Sequence, residues 1–345
     1  MTGKTNRGRY FEDYRVGQVI PHAVPRTVSG GERAIYHALY PARHALHSAD
    51  GFAASCGLPM APLSDLVTFH MVFGKSVPDI SLNAVANLGY AEGKFLRPVW
   101  RGDTLRADSE VIGVKETSNR KSGVVWVRTT GRNQSGAAVL TYVRWVMVRK
   151  RDTASEAPET VIPALKPAVA AEDLVVPEGL DFSSYDFTAA GEPHRWSDYE
   201  IGETIDHADA VTIEEAEHMM AARLWQNTAR VHFDKTYRDD GRLLVYGGHV
   251  ISLAHALSFN GLANAQVIAA INGGTHANPC FAGDTVTAWS QVLDTSETSA
   301  PGVGAIRLRL VAQRAGHPPF EVKGEDGKYL SHVLLDLDYW ALMPT

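Results

Sequence analysis

The chain has 345 residues, 45% of them hydrophobic and 21% charged, which is typical of a globular protein long enough for two domains. Its formal net charge of -6 argues against nucleic acid or an anionic membrane as the main partner. The two cysteines, Cys56 and Cys280, are far apart and follow no motif spacing, which favours a reducing compartment and excludes a disulfide framework or a zinc site.

The first ten residues and the apolar runs of the chain bear on its location. The first ten residues contain no apolar core, so no signal peptide is expected. No apolar run reaches the length needed to span a membrane. We therefore expect a cytoplasmic protein.

Two segments of the chain open alike and indicate an internal duplication. Residues 11–23 (FEDYRVGQVIPHA) match residues 196–208 (WSDYEIGETIDHA) at an offset of 185. The same offset pairs His47 with His232. A later match, at an offset of 181, relates a Pro-x-x-x-Gly-Asp string that begins at Pro98 to one that begins at Pro279.

The duplication predicts the domain organisation. We expect an N-terminal copy over residues 10–150 (copy one) and a C-terminal copy over residues 196–345 (copy two). Residues 151–195 are rich in Ala and Pro and are predicted to connect the two.

The predicted helices follow the same order in both copies. A capping box, a Ser or Thr with Glu three residues later, begins a short helix at Ser29 and again at Thr212. A His-bearing loop comes next, followed by a run that is apolar on nearly all sides, over residues 63–73 in copy one and 250–262 in copy two. A helix of this kind must be buried on most faces.

Strand-like runs complete each copy. Residues 123–130, 139–148 and 306–311 alternate apolar and polar positions or are continuously apolar, and Gly and Asn turns separate them, as in antiparallel strands. The predicted fold class is α+β, with one buried helix wrapped by a curved antiparallel sheet in each copy.

The stretch with the most chemistry lies in copy two. Residues 225–234 (WQNTARVHFD) are followed by Tyr246-Gly247-Gly248-His249 and then by the apolar helix. An imidazole can move a proton, and backbone amides at the start of a helix can polarise a carbonyl group. A single histidine next to a helix is more often a packed core residue, and it is the comparison with copy one that favours a site here.

This arrangement resembles the hot-dog fold of the MaoC-like hydratases. The elements that carry the resemblance are the His-bearing loop before the buried helix and the Pro-x-x-x-Gly-Asp string after it, in both copies. Residues 225–234 most resemble the double-hot-dog enzymes that dehydrate β-methylmalyl-CoA to mesaconyl-CoA. The resemblance implies a tandem hot-dog fold and the reversible removal of water from a CoA thioester.

The resemblance also implies catalytic roles for residues of copy two. The family's histidine maps onto His232, and the glycine whose amide receives the thioester oxygen maps onto Gly248. The family's Asp is replaced by Asn227, which holds a water or hydroxyl group but takes no proton. His232 then carries the proton transfer, with Asp234 or His249 as candidate helpers.

Further residues are candidates for binding the substrate. Arg230 could meet a free carboxylate of the acyl group or form a surface salt bridge, and these alternatives stay open. Tyr246 and Gly247 are expected to contact the acyl group beside Gly248. Lys94, Arg97 and Arg101 form a basic cluster that could bind the CoA phosphates or belong to a solvated loop.

Copy one lacks most of the catalytic groups. Ala42 stands opposite Asn227 and Leu63 opposite Gly248, although His47 is present opposite His232. His47, with His44 nearby, is expected to be a packed or hydrogen-bonded residue; a His-x-x-His metal pair is the alternative, and no third ligand is evident. Copy one is expected to shape the acyl and CoA channel.

Several functions agree with the sequence. The first is a hydratase acting on β-methylmalyl-CoA and mesaconyl-CoA, and a related alternative is an R-specific enoyl-CoA hydratase acting on a monocarboxylic chain. A hot-dog thioesterase, with Asp234 aimed at the thioester, and a non-catalytic acyl-CoA-binding protein are the others. We expect no metal and no cofactor beyond the CoA of the substrate. By resemblance, we expect a homo-oligomer of two or more chains.

Overall fold

Most strands alternate buried and more exposed side chains, as expected of a sheet with one face against a core. In the computed structural model, which describes residues 4–345, ten strands are present: β1 (Val19–Thr27), β2 (Ala84–Phe95), β3 (Thr104–Glu116), β4 (Ser122–Arg132), β5 (Ala138–Arg149), β6 (Thr204–Thr212), β7 (Val267–His276), β8 (Thr285–Glu297), β9 (Val303–Arg314) and β10 (Val333–Pro344).

All of these strands belong to one antiparallel sheet. Its order is β1-β3-β4-β5-β2-β7-β10-β9-β8-β6, so that each copy supplies five consecutive positions. The two halves join where β2 pairs with β7, with Tyr90 opposite Gly274 and Lys94 opposite Ala270. The division of the chain into two domains stays a prediction, because a single sheet runs through both copies.

Eight α-helices accompany the sheet within residues 4–345. They are α1 (Gly30–Leu39), α2 (Ala45–Ser48), α3 (Asp50–Ser55), α4 (Asp65–Ser76), α5 (Phe187–Ala190), α6 (Glu215–Leu224), α7 (Gly247–Leu257) and α8 (Phe259–Leu262). Within residues 4–345, no helix is both long enough and apolar enough to span a membrane.

The central helices α4 and α7 are the buried helices that the sequence predicts. Every residue of α4 from Leu66 onward and every residue of α7 from Gly248 onward is buried. The two helices meet where His70 Nε2 lies 2.8 Å from Ser252 Oγ. Helix α7 ends at Leu257, earlier than expected, and the backbone leaves the helical conformation at Asn260, with a ψ of 98°, and at Gly261, with a φ of 100°, before the predicted end.

One of the two predicted capping boxes is present. Ser29 and Glu32 form the reciprocal pair at the start of α1, with Glu32 Oε2 accepting a 2.7 Å hydrogen bond from the Ser29 amide. The prediction of a capping box at Thr212 is wrong, because Thr212 is the last residue of β6. Helix α6 begins only at Glu215, and no side chain caps it.

The predicted connecting segment packs tightly against copy two. Phe182 and Tyr185 are buried in a core cluster that includes Trp340 of β10. The indole of Trp340 donates a 3.0 Å hydrogen bond to the backbone oxygen of Val169. The segment therefore covers the outer face of the second half of the sheet.

The predicted fold class is confirmed. The three predicted strand segments lie within β4, β5 and β9, and each copy wraps its strands around one buried helix. This is the tandem hot-dog arrangement, and it brings the loop after α6 and the start of α7 close to strands of copy one.

Candidate active site

A cavity of about 320 Å³ lies where the two copies meet. Copy one contributes the end of α4, the beginning of β2 and one residue of β5, and copy two contributes the loop after α6, the start of α7 and the end of β7. Its polar lining consists of Ser81, Asn87, Tyr90, Arg144, Asn227, His232, Tyr246, Gly247, His276 and Asn278. The remaining lining is apolar and suits an acyl group.

His232 is placed at the cavity by a short 3-10 helix, Arg230–His232. Its Nδ1 lies 2.8 Å from the backbone oxygen of Leu244. Because a carbonyl oxygen only accepts hydrogen bonds, Nδ1 carries the proton and Nε2 keeps its lone pair. Nε2 has no hydrogen-bond partner among residues 4–345, so it is available to take a proton from a bound molecule.

Burial determines the basicity of His232. The loss of hydration lowers its pKa to about 4, although the hydrogen bond to Leu244 acts in the opposite direction. No carboxylate among the described residues lines the cavity, so no anion there stabilises an imidazolium. His232 is therefore neutral at pH 7, which is the form that accepts a proton.

The end of α6 positions Asn227. The amide of Asn227 donates to the oxygen of Ala222 and that of Gln226 to the oxygen of Arg223, which is the pair of hydrogen bonds that defines a Schellman motif. Gln226 takes the left-handed conformation that this motif requires, with a φ of 56°. The backbone at Asn227 is therefore held by the helix before it.

The side chain of Asn227 is oriented by its own loop. Its Oδ1 accepts a 3.1 Å hydrogen bond from the amide of Ala229, and only 4% of the residue is exposed. With the oxygen occupied, the NH2 group remains to donate to a molecule in the cavity. Asn227 can therefore hold the oxygen of a water or a hydroxyl group, but it cannot remove a proton from either.

The N-terminus of α7 provides donors for a carbonyl oxygen. Gly247 lines the cavity, and the amides of Gly247 and Gly248 lie in the first turn, where N–H groups have no acceptor within the helix. Neither amide has another acceptor among residues 4–345. With the positive end of the helix dipole, they can stabilise negative charge on a carbonyl oxygen.

The two glycines are required because space is lacking. A Cβ on Gly247 would overlap the ring of His276. A Cβ on Gly248 would lie 2.5 Å from Tyr246 Cζ and 2.6 Å from His70 Cε1. The predicted donor, Gly248, is the more enclosed of the two, and Gly247 is the one that lines the cavity.

His276 and Tyr90 are cavity residues that the sequence analysis missed. His276 Nε2 lies 3.1 Å from Tyr90 OH, and burial lowers the pKa of His276 to about 4. A signal was present, because the offset of 181 that relates Pro98 to Pro279 also places His276 opposite Phe95. A histidine where the other copy has phenylalanine indicates a polar environment that only one copy has.

Arg144 was also missed. It lies on β5 with no exposed surface, and it is among the residues that line the cavity. The available signal was a charged residue within the apolar run of residues 139–148, at an inward position of the strand.

Two predicted helpers of His232 lie away from the cavity. Asp234 Oδ1 accepts hydrogen bonds of 2.9 and 2.6 Å from the amide and hydroxyl of Thr236, so that it caps a short 3-10 helix. His249 is turned toward copy one, with its Nδ1 3.0 Å from Tyr40 OH. Neither residue lines the cavity, and the geometry gives the predicted assistance no support.

The predicted binding residues with positive charge do not converge. Arg230 is exposed and does not line the cavity. Lys94 is 3.3 Å from a carboxylate oxygen of Asp173, whereas Arg97 and Arg101 are exposed beside two different small clefts. Their roles toward the acyl carboxylate and the CoA phosphates stay predictions.

The equivalent place in copy one is nearly filled. The space beside His47 is about 20 Å³, and His47 Nε2 lies 2.7 Å from the backbone oxygen of Gln266. His44 stacks on His255 with ring centroids 4.7 Å apart. Within residues 4–345, no three His, Cys, Asp or Glu side chains come together in a way that could hold a metal ion.

Fold and cavity together define a double-hot-dog protein of the MaoC-like class, in which the larger of the two equivalent cavities is lined by His232. The chain belongs to the mesaconyl-CoA hydratase family, whose model matches residues 2–322. It is 72% identical over 341 residues to the mesaconyl-CoA hydratase of Cereibacter sphaeroides, covering 99% of both chains. It is 54% identical over 352 residues to the β-methylmalyl-CoA dehydratase of Chloroflexus aurantiacus, covering 100% of this chain and 99% of that one.

Solved structures agree with the fold. A MaoC domain protein of Chloroflexus aurantiacus superposes with a TM-score of 0.97 at 53% identity and covers 99% of both chains. A double-hotdog protein of Mycobacterium tuberculosis superposes with a TM-score of 0.75 at 24% identity, covering 97% of this chain and 98% of that one. The second likeness shows the fold alone.

Proposed function

We propose that the protein catalyses the reversible addition of water across carbons two and three of a CoA thioester, with mesaconyl-CoA and β-methylmalyl-CoA as the substrate pair. The names of the relatives at 72% and 54% identity support this pair. The observation that carries the proposal is that one cavity holds His232, with a free Nε2, and the unpaired amide of Gly247.

The start of α7 makes the chemistry feasible. Carbon two of the acyl group can gain or lose a proton only if the thioester oxygen carries the negative charge that develops. The amides of Gly247 and Gly248 supply fixed donors for that oxygen, and one such donor contributes about 3 kcal/mol to the transition state. The apolar part of the lining lowers the local polarity and strengthens this interaction.

A single imidazole can complete the proton transfer. In hydration, His232 Nε2 takes a proton from water while the hydroxide adds to carbon three. The imidazolium then returns the same proton to carbon two, so that atoms and charge balance. Asn227 holds the oxygen of the water with its NH2 group and needs no charge to do so.

The thioesterase alternative is less well supported by the geometry. A hydrolase of this kind needs a group that directs water at the thioester carbon, and Asp234 was the candidate. Asp234 instead caps the helix Lys235–Tyr237, and no carboxylate of the described residues lines the cavity. A protein that only binds acyl-CoA would have no use for the free Nε2 of His232 or for the two adjacent glycines at the start of α7.

Cofactor, location and assembly complete the proposal. We infer that CoA enters as part of the substrate and that no metal or other cofactor takes part. A cytoplasmic location is supported by Cys56 and Cys280, which are both buried and free. A homo-oligomer is inferred from the resemblance to the family.

One experiment tests the proposal against its alternatives. The protein is incubated with mesaconyl-CoA or crotonyl-CoA while enoyl absorbance and free thiol are followed together. Loss of absorbance without release of thiol, fastest with mesaconyl-CoA, is the expected result. Release of thiol would indicate a thioesterase. A preference for crotonyl-CoA would indicate a hydratase acting on a monocarboxylic substrate. No change in either signal would indicate a protein that binds acyl-CoA without catalysis.

A further inference from the structure

The wall of the cavity that copy one supplies carries polar groups without partners. Arg144 on β5 has no exposed surface, yet its Nε and Nη1 have no hydrogen-bond partner among residues 4–345. Its Nη2 donates to Ser76 Oγ at 2.9 Å and lies 3.4 Å from Ser81 Oγ, and both of these groups are neutral. Two of the three guanidinium nitrogens are therefore left without a hydrogen-bond acceptor.

The charge of Arg144 is also unbalanced. No carboxylate among residues 4–345 lies within 4.0 Å of the guanidinium, which stands over the ring of Phe73 at 4.3 Å. An enclosed cation with only neutral neighbours is unfavourable, and proteins normally pair such a group with an anion. An arginine in this state, at the wall of a cavity, is suited to an anionic ligand.

Asn87 adds a second unsatisfied group to the same wall. Both polar atoms of its side chain are shielded from solvent and have no partner in the described part of the chain. Asn87 pairs with Val146 across β2 and β5, and Tyr90 pairs with Arg144, so the two polar residues lie two positions apart on adjacent strands. Both line the cavity that holds His232.

The equivalent positions in copy two are not charged. In the pairing of β7 with β10, Ile268 stands opposite Ala341 and Ile271 opposite Tyr339. The same register in copy one gives Asn87 opposite Val146 and Tyr90 opposite Arg144. Ile268 and Tyr339 therefore occupy the places of Asn87 and Arg144, so packing of the fold alone does not require the polar pair.

We propose that Arg144, together with Asn87, binds the free carboxylate of a dicarboxylic acyl-CoA and so selects this substrate class. The proposal rests on the proposed function. The guanidinium is a charged donor, and its free Nε–H or Nη1–H can give a carboxylate oxygen a charge-assisted hydrogen bond. In β-methylmalyl-CoA this carboxylate is attached to carbon three, so binding it fixes the carbon that receives or loses the hydroxyl group.

The assignment gives the degenerate copy a defined task. Copy two supplies His232 and the amides at the start of α7, and copy one supplies the charge that distinguishes substrates. Arg230, the sequence-based candidate for the same role, is exposed and lies outside the cavity. A cavity residue is the better candidate, because an exposed charge is screened by water and salt.

Binding of unreactive analogues tests the assignment without relying on catalysis. Succinyl-CoA and butyryl-CoA lack the double bond and differ mainly in the free carboxylate, and calorimetry gives the Kd of each. We expect the unmodified protein to prefer succinyl-CoA by about 100-fold, which is the usual worth of a buried charge pair. Arg144→Gln should reduce this preference to about threefold and leave the Kd of butyryl-CoA nearly unchanged.

Two further variants complete the test. Arg230→Gln should retain the full preference for succinyl-CoA. Asn87→Ile, which copies the residue at the equivalent position of copy two, should lower the preference about tenfold, and it serves as the decisive variant if Arg144→Gln does not fold. Equal affinity of the unmodified protein for both analogues, or a preference unchanged in the Arg144 and Asn87 variants, would overturn the assignment.

The outcomes also separate this inference from the proposed function. If mesaconyl-CoA is not hydrated but succinyl-CoA is still preferred through Arg144, the carboxylate site stands and the hydratase proposal fails. If hydration occurs and Arg144→Gln slows mesaconyl-CoA and 2-methylcrotonyl-CoA to the same extent, the hydratase stands and the carboxylate site fails.

Discussion

Gly74 of copy one lies against the backbone oxygen of Trp225 of copy two, so closely that a Cβ on Gly74 would overlap that oxygen. Gly74 is in the last turn of α4, and Trp225 begins the turn that leads to Asn227. Trp225 is itself buried, with 1% exposure, and cannot move outward freely. The central helix of copy one therefore helps to fix the position of Asn227.

Gly74→Ala should displace this turn and impair catalysis. Crowding in a packed interior costs about 1–3 kcal/mol, and part of that strain would be relieved by moving Asn227 away from the cavity. We expect a lower melting temperature and a kcat reduced at least tenfold, measured by thermal unfolding and by initial rates. Gly51→Ala is the control, since a Cβ there meets nothing within 4 Å. Equal effects of the two changes would contradict the role given to Gly74.

The two copies should respond unequally to loss of their histidines. His232→Ala should lower kcat by about two to four orders of magnitude, which is the usual contribution of a positioned acid–base group. His47→Ala should keep kcat within about tenfold and act on stability, because His47 contacts the backbone oxygen of Gln266 at 2.7 Å and lies 3.8 Å from Asp65 Oδ2, both within the packed interior. Initial rates and thermal unfolding of both variants give the comparison, and losses of equal size in kcat would show two working sites.

The fold was predictable because its signals are local and repeated. Apolar runs and turns indicate the helix and the strands of each hot-dog copy. The 185-residue offset relates the two copies, so that the same pattern is seen twice. The end of α7 was placed too late because the pair Asn260-Gly261 inside an apolar run is compatible with a helix until its non-helical backbone angles are known. Thr212 matched a capping pattern, but its strand pairing with Thr285 prevailed.

The candidate site was predictable only where its residues are close in sequence. His232, Asn227 and Gly247 lie within one stretch, and the structure brings them to one cavity. Arg144 and His276 reach that cavity through strand pairing, which a single sequence does not specify. Proximity in sequence was also misleading, because Arg230 precedes His232 by only two residues and yet faces solvent.

The buried histidines should make the protein sensitive to acid. Burial lowers the pKa of six of them to between about 3 and 4: His70, His207, His232, His249, His255 and His276. The unfolded chain takes up protons on these groups below pH 6.5, whereas the folded chain does not. Stability is therefore fully present above pH 6.5 and is lost as the pH falls from 6.5 toward 4.

The size of this effect determines the pH at which the protein is expected to unfold. Each such group costs about 1.4 kcal/mol for every pH unit below 6.5, and a typical protein has only about 5–15 kcal/mol of stability. We expect unfolding between about pH 4 and pH 6, followed by tryptophan fluorescence and circular dichroism at several pH values. A melting temperature that stays constant down to pH 4 would show that these histidines do not determine acid stability.

Asn227→Asp should change both the pH profile and the choice of substrate. The aspartate can still accept from the amide of Ala229, but it replaces a neutral donor with an anion in an enclosed position. That anion favours the charged form of His232 and raises its pKa above the present value of about 4. The neutral base is then lost at a higher pH, so the acid limb of kcat/KM should move upward, into the range where the protein is still folded.

The same anion should repel a substrate that carries a free carboxylate. We expect the ratio of kcat/KM for mesaconyl-CoA to that for crotonyl-CoA to fall about tenfold or more in Asn227→Asp, because two like charges would share one enclosed cavity. Asn227→Ala is the matched control: it removes the NH2 group without adding charge, and it should slow both substrates while leaving their ratio unchanged. If Asn227→Asp instead improved mesaconyl-CoA alone, position 227 would act as a proton carrier and not as a neutral holder of water.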